Sequence, residues 1–372
     1  MPLRPRLDTP RSSILRCATA WWAPLSLAVT RRALLSVLPG IVLSTVCLWY
    51  AFTGVDLAGM VREIGRVGPL WVMASVAVGL LSLVIRAVRW RTLLVGGKDI
   101  GTGSLVSATF IGMLANNVLP ARIGEVVRAW VLARREHAPF PTVLASIVVE
   151  RLLDMLAALA ILALCLTLAS GLEDGPLGEL KRMGFLVLLV VLGCMAALAA
   201  MVRRRANLVA LVERWIQKAR CQWTQRALEL IHRFLDGLCA IREAAHIGAV
   251  TVLSLLVWAV GICSFYVLAE GFGMSLNWIQ TSLLFVIVLF GIAIPSAPGF
   301  IGTFHGFCVA GLSMVAGIDQ TTAAAYATVL HGSQWLTINL FGLGFFWADR
   351  TLSWNLVSAH VRLRKAVLGT LE

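Results

Sequence analysis

Charge is scarce in this chain and unevenly signed. Only 14% of the 372 residues are Asp, Glu, Lys or Arg, and 19 acidic residues stand against 32 basic ones. The eight Cys contain no C-x-x-C pair, and five of them (Cys47, Cys165, Cys194, Cys263, Cys308) lie inside apolar stretches, where Cys acts as a small hydrophobe. This pattern speaks against a disulfide framework. No metal-ligand spacing, no Walker A sequence and no nucleophile–base pair within sequence reach is present. ATP hydrolysis by this chain is therefore excluded, and no metal or other cofactor is called for.

What the chain has in abundance is apolar sequence. It is 59% hydrophobic with a mean hydropathy of +0.85. Continuous apolar runs at 33–53, 68–86, 143–169, 184–202, 247–270 and 322–348 are long enough to cross a bilayer. This predicts an integral membrane protein of the all-α class. Two further runs are interrupted. The run 103–119 ends in "NNVLPARIGE", and 281–318 is broken by "IPSAPGFIG", where Pro295 and Pro298 cannot continue a helix and Gly299 and Gly302 permit a sharp turn. The first 32 residues hold six Arg and the pair Trp21-Trp22. They are read as a basic tail along the membrane surface ahead of an uncleaved anchor at 33–53.

The basic residues choose the topology. If both interrupted runs crossed once, Lys and Arg would divide almost evenly between the two sides. If both are re-entrant, 27 fall on one side and four on the other, with Arg151 left in a helix. Orientation follows this bias, so the prediction is a polytopic helix bundle of about six spanning helices plus two opposed re-entrant hairpins. The transmembrane region runs over 33–350, both termini are cytoplasmic, and 351–372 is a short tail. Arg- and Ala-rich composition suits a bacterial cytoplasmic (inner) membrane. Residues 203–246 carry apolar positions three or four apart and no Pro, an amphipathic helical segment suited to anionic inner-leaflet lipids. The net charge of +13 is accounted for by these loops and not by nucleic acid.

Irregular backbone at membrane depth must face protein or a wet cavity, so both hairpins are expected to point inward. Pro120 suits the first turn of a returning half-helix, with backbone N–H groups and Arg122 beside an anion. Asn116 and Asn117 are candidate neutral donors. Glu125 stands three residues from both Arg122 and Arg128, so a structural latch competes with an anion site. "VVERLLDML" puts Glu150, Arg151 and Asp154 inside a spanning helix, each costing roughly 2.5–3.5 kcal/mol to insert unless paired. A buried ion-pair cluster, a polar wall of a headgroup cavity and a proton relay all fit these three. In the second hairpin Ser296, Gly299, Thr303 and His305 surround another half-helix N-terminus, and His305 is either a neutral hydrogen-bonding group or a proton carrier. Gly302 and Gly306 have the G-x-x-x-G spacing of close helix approach.

Three stretches together resemble the flippase-like family known as the lysylphosphatidylglycerol synthase transmembrane region. They are N-x-x-P-x-R-x-G-E-x-x-R (Asn117, Pro120, Arg122, Gly124, Glu125, Arg128), E-R-x-x-D (Glu150, Arg151, Asp154) and P-x-x-P-G-F-x-G-T (Pro295, Pro298, Gly299, Phe300, Gly302, Thr303). "RAVRWRTLL" also resembles the family's pattern. The resemblance implies paired re-entrant helices and translocation of a phospholipid or polyprenyl-phosphate-linked lipid. The stretch after the last apolar run is short for an aminoacyltransferase domain, so synthase activity is not expected. The competing expectations are a membrane-embedded transferase acting on a lipid-linked substrate, and a non-catalytic partner of a lipid or glycan biosynthesis enzyme.

Overall fold

The computed structural model describes residues 31–94, 100–119, 122–168 and 244–349, with five further residues between 185 and 193. The basic tail 1–30, Pro120, most of the apolar run 184–202, nearly all of 203–246 and the tail from 350 lie outside the described residues. Residues up to Pro39 form one compact unit and Gly40 onward a second. Of the first, the opening turns of one helix are described, and all packing below is within the second.

Helices account for the described architecture, and no strand occurs among the described residues. The order is α1 (Arg31–Phe52), α2 (Leu57–Arg66), α3 (Pro69–Leu93), α4 (Thr102–Val118), α5 (Gly124–Arg135), α6 (Phe140–Leu168), α7 (Ala244–Gly271), α8 (Trp278–Ala293), a 3-10 turn (Pro298–Phe300), α9 (Thr303–Ala316) and α10 (Gln320–Ala348). Local chemistry sets many of these ends. Pro69 opens α3 where a missing N–H costs nothing, and Asn277 and Gln280 form a reciprocal capping box on α8. Asp56 caps α2 through Ala58 N–H, Asp319 caps α10 through Thr322 N–H, and Gly317 closes α9 in the left-handed region.

Three described helical stretches, 69–93, 248–271 and 298–316, have the length and apolar composition to cross a membrane. A fourth is the pair α1 and α2, bent by 82° at its break. Helices α6 and α10 are each 29 residues long, enough to span, but carry Glu150, Arg151 and Asp154, or His331, Gln334 and Asn339. Large apolar side chains such as Leu70, Met73, Met314 and Leu340 are exposed on the outside, as a lipid-facing surface requires.

At each interruption the chain turns so that the next helix packs back against the preceding one. In the first hairpin α4 and α5 pack together where a methyl group on Gly124 would overlap the carbonyl oxygen of Gly112, so the two backbones touch. In the second, Gln280 of α8 donates to the Val315 carbonyl of α9 at 3.2 Å, and Gly311 and Gly291 lie against Leu284 and Phe307. Antiparallel α3 and α7 are joined through Ser75 and Ser264, and Gln334 of α10 donates to the Ser264 hydroxyl at 3.0 Å. Two apolar cores result. One gathers parts of α7 to α10 around Tyr326, whose hydroxyl donates to the Phe265 carbonyl at 2.8 Å, and the other gathers α3 to α6 around Trp90.

Two elements differ from the sequence expectation. Helix α3 continues to Leu93, two turns past the end of its apolar run, because Ala87, Trp90 and Leu93 extend its buried face. Arg86 and Arg89 therefore sit on a helix rather than at a loop. The α2 helix, with Met60 buried, occupies a connection for which no helix was expected.

Candidate functional site

The charged residues of three helices converge beside the Trp90 core. Arg86 and Arg89, one turn apart on α3, face Glu150, Arg151 and Asp154 of α6, and Arg128 of α5 closes the third side. Arg86 Nη1 lies 2.6 Å from Asp154 Oδ2, and Arg151 Nη2 lies 2.6 Å from Glu150 Oε1. Arg128 Nη1 is 3.1 Å from Glu150 Oε2, and Arg89 Nη2 is 2.7 Å from Asp154 Oδ1 without hydrogen-bond alignment. Arg89 and Glu150 are fully buried, and Arg128 very nearly so. Apolar surroundings would make each of these charges prohibitive alone, and their mutual contacts are what allow them to persist. Arg128 also stacks its guanidinium 3.8 Å from the Trp90 ring centre, while the Trp90 indole donates to Ser146 at 2.9 Å.

Among the described residues, the acidic partners do not balance the basic ones. Four guanidinium groups meet two buried carboxylates, with Glu125 reaching Arg151 from the rim at 3.6 Å. Arg89 Nε and Nη2, Arg128 Nε and Nη2, and Arg151 Nε are buried without an aligned hydrogen bond among the described residues, as are the acceptors Glu150 Oε2 and Asp154 Oδ1.

A second constellation forms where the hairpins meet. Arg122, with φ of 54°, donates from Nη1 to the Ala293 carbonyl at 3.0 Å and from Nη2 to the Ile292 carbonyl, and its guanidinium lies 5.0 Å from the Phe300 ring centre. These are the last carbonyls of α8, a position that favours a cation. Asn116 accepts from Gly124 N–H at 2.8 Å, so a side chain already satisfies one donor at the start of α5. Asn117 donates to Asn339 of α10 at 3.2 Å, and its own carbonyl lies close to Gly299. Glu125 pairs with Arg151 of α6 and not with either Arg flanking it in the sequence.

The second hairpin is fixed against α1 and α10. Gly299 has φ of 70° and its carbonyl meets His331 Nε2 at 2.9 Å. Gly302, with φ of 101°, lies against the Ser44 backbone and Gly306 against Cys47, so the glycine pair brings α9 and α1 into close approach. Thr303 donates to the Phe300 carbonyl, and Ser44 accepts from Ala297 N–H at 2.8 Å. His305 is buried with its ring 5.0 Å from that of His331, and among the described residues neither its Nδ1 nor the buried Ser296 hydroxyl has a hydrogen-bond partner. The twelve candidate residues thus fall into three groups: Glu125, Arg128, Glu150, Arg151 and Asp154 in the charge cluster; Asn116, Asn117 and Arg122 at the hairpin junction; and Ser296, Gly299, Thr303 and His305 around the second break.

A cavity of about 220 Å³ lies among α3, α7, α8, α9 and α10. Apolar side chains such as Leu83, Phe285 and Phe304 line it, with Ser82, Ser264, Gln334 and Thr337 as its polar members. No group of three or more His, Cys, Asp or Glu arranged for a metal occurs among the described residues.

All three motifs lie within residues 37–342, which match the family described as lysylphosphatidylglycerol synthase TM region. The chain belongs to this family. The match is to the membrane region and contains no soluble domain. Glycosyltransferase AglD of Haloferax volcanii is 25% identical over 399 residues, covering 97% of this chain and 60% of that protein. A UPF0104 membrane protein of Methanothermobacter thermautotrophicus is 25% identical over 300 residues, covering 74% of this chain and 87% of its own length. UPF0104 membrane protein PH1989 of Pyrococcus horikoshii is 19% identical, covering 78% of this chain and 89% of that protein. The chain therefore spans only about 60% of the glycosyltransferase's length. No solved structure matches.

Arg86 and Arg89 are site residues that the sequence reading left out. Their signal was the stretch "RAVRWRTLL", where Ala87, Trp90 and Leu93 continue the helical spacing of an apolar face.

Proposed function

We propose that this family member is a lipid translocator of the cytoplasmic membrane, moving an anionic lipid with a phospholipid or polyprenyl-phosphate headgroup. The observation that carries the reading is the junction in which Arg122 of one helical hairpin holds the carbonyl end of α8 in the other. Broken helices that meet within an apolar bundle serve polar cargo, because their interrupted backbone is tolerated only beside protein or a hydrated path. The arrangement proposed is six spans and two re-entrant hairpins entering from opposite sides, with cytoplasmic termini. Asn116, Asn117 and Arg122 organise the junction, the charge cluster receives the headgroup, and the tails stay in the lipid.

A second reading draws on the glycosyltransferase AglD, which aligns with 97% of this chain. Under it, the protein serves glycosyl chemistry on a lipid-linked substrate as an embedded transferase or as the membrane partner of such an enzyme. Proteoliposomes separate the two. Fluorescent phospholipids and a short polyprenyl-phosphate analogue are scored by outside-only quenching, with Arg122→Ala beside the unaltered protein. Movement of one lipid class, lost in the variant, is the expected result. Folded protein that moves neither class would reject translocation in favour of the second reading.

A further inference from the structure

The charge cluster is incomplete as it stands. Arg86, Arg89, Arg128 and Arg151 face Glu150 and Asp154, and even with Glu125 at the rim one cation remains unmatched among the described residues. Five buried guanidinium nitrogens on Arg89, Arg128 and Arg151 make no aligned hydrogen bond among the described residues, against two buried carboxylate oxygens in the same state, Glu150 Oε2 and Asp154 Oδ1, so donors remain in excess. Buried donors are almost always satisfied, and buried cations are kept only where an anion compensates them. An acidic ligand supplies both deficits.

The chemistry of that ligand follows from the donors. They come from three side chains on three helices, so they approach from separate directions. A carboxylate offers two oxygens in one plane and suits a single guanidinium fork, whereas a phosphoryl group presents its oxygens tetrahedrally and can engage several forks together. The way in is the rim, where Arg151 keeps more than a third of its side chain exposed. The Glu125–Arg151 contact of 3.6 Å is the longest ion pair there and the one an incoming anion would replace.

Helix α3 links this cluster to the cavity. Gly79, Ser82 and Leu83 line the cavity, and Arg86 and Arg89 follow on the next turns of the same helix. Ser82 and Arg86 are four residues apart and so share a face, roughly 6 Å along the axis. An anion site thus adjoins an apolar slot, the layout an amphiphile needs.

We infer that the arginine cluster of α3, α5 and α6 is a receptor for one phosphoryl group, seated by Arg89, Arg128 and Arg151, with an attached apolar chain lying in the cavity along α3. The chain seat deepens the lipid reading and rests on it, while the phosphoryl site rests on the charge count and the unpartnered donors.

The test is equilibrium binding to the full chain in detergent, by calorimetry, with dioctanoyl phosphatidic acid, dioctanoyl phosphatidylcholine and inorganic phosphate as probes. Phosphatidic acid should bind most tightly. Arg128→Lys, which keeps the charge but loses the fork, and Arg151→Gln should each weaken it about tenfold, the scale of one charge-assisted hydrogen bond. Glu125→Gln should tighten it by removing the competing carboxylate, a gain that a purely structural cluster would not give. Inorganic phosphate bound as tightly as phosphatidic acid, with the same variant pattern, would keep the phosphoryl site and overturn the chain seat. Binding absent from monodisperse protein with an unshifted melting temperature, or unchanged in all three variants, would overturn the site itself. Binding without lipid movement in vesicles would reject translocation and leave this site standing, so the two failures are distinct.

Discussion

The guanidinium of Arg122 donates to the main-chain carbonyl of Ile292, tying together residues 170 positions apart. Arg122→Ala removes this contact and the one to Ala293, leaving two helix-end carbonyls without their cation. The expected cost is about 1–3 kcal/mol, seen as a lower melting temperature in detergent. Arg122→Lys should recover part of the loss, since it retains the charge without the fork.

Glu150 is fully buried among Arg86, Arg89, Arg128 and Arg151. Glu150→Gln strands several cations away from water and should cost about 3–5 kcal/mol, enough to deplete the folded protein in the membrane. The control is Arg62→Ala, which breaks an exposed pair with Asp56 and should leave the melting temperature almost unchanged. Equal losses from both variants would show that the buried network has no special weight.

Gly302 combines φ of 101° with direct contact on the Ser44 backbone. Gly302→Ala should therefore separate α9 from α1 and destabilise the chain by more than the ~1 kcal/mol of helix propensity. Gly65, near the end of α2, has nothing within 4 Å of where a methyl group would sit. Gly65→Ala should be neutral or slightly stabilising, and paired thermal melts would check the contrast.

The proposed orientation is testable with cysteines introduced into a background whose native cysteines have been replaced. Arg62→Cys on α2 should react with a membrane-impermeant thiol reagent added from outside, and Arg135→Cys at the end of α5 should react only after the membrane is permeabilised. The reverse pattern would invert the topology.

Much of the architecture was legible because long apolar runs have few alternatives to being helices. The ends of α1, α4, α7 and α10 fall within a few residues of their apolar runs, and the break between α8 and α9 falls where Pro295, Pro298 and two glycines interrupt the sequence. What sequence spacing cannot reveal is which distant charge an arginine meets. Arg122 stands near Glu125 in the sequence yet binds main-chain carbonyls of α8, while Glu125 turns to Arg151 on α6. Arg86 and Arg89 were missed for a related reason. Basic residues at the end of an apolar run read as a loop, until the buried positions of Trp90 and Leu93 show that the helix carries on.

The Arg122 contacts also constrain motion. A tip of either hairpin that withdrew from the other would expose two carbonyls and a guanidinium at once, and each would need a new partner before the displaced geometry became stable. Small excursions are therefore penalised without compensation, and recovering the lost bonds would require a displacement large enough to bring new partners, such as water, to both sides. Were the hairpins to part during lipid movement, the junction would act as a detent, favouring one discrete step over gradual drift.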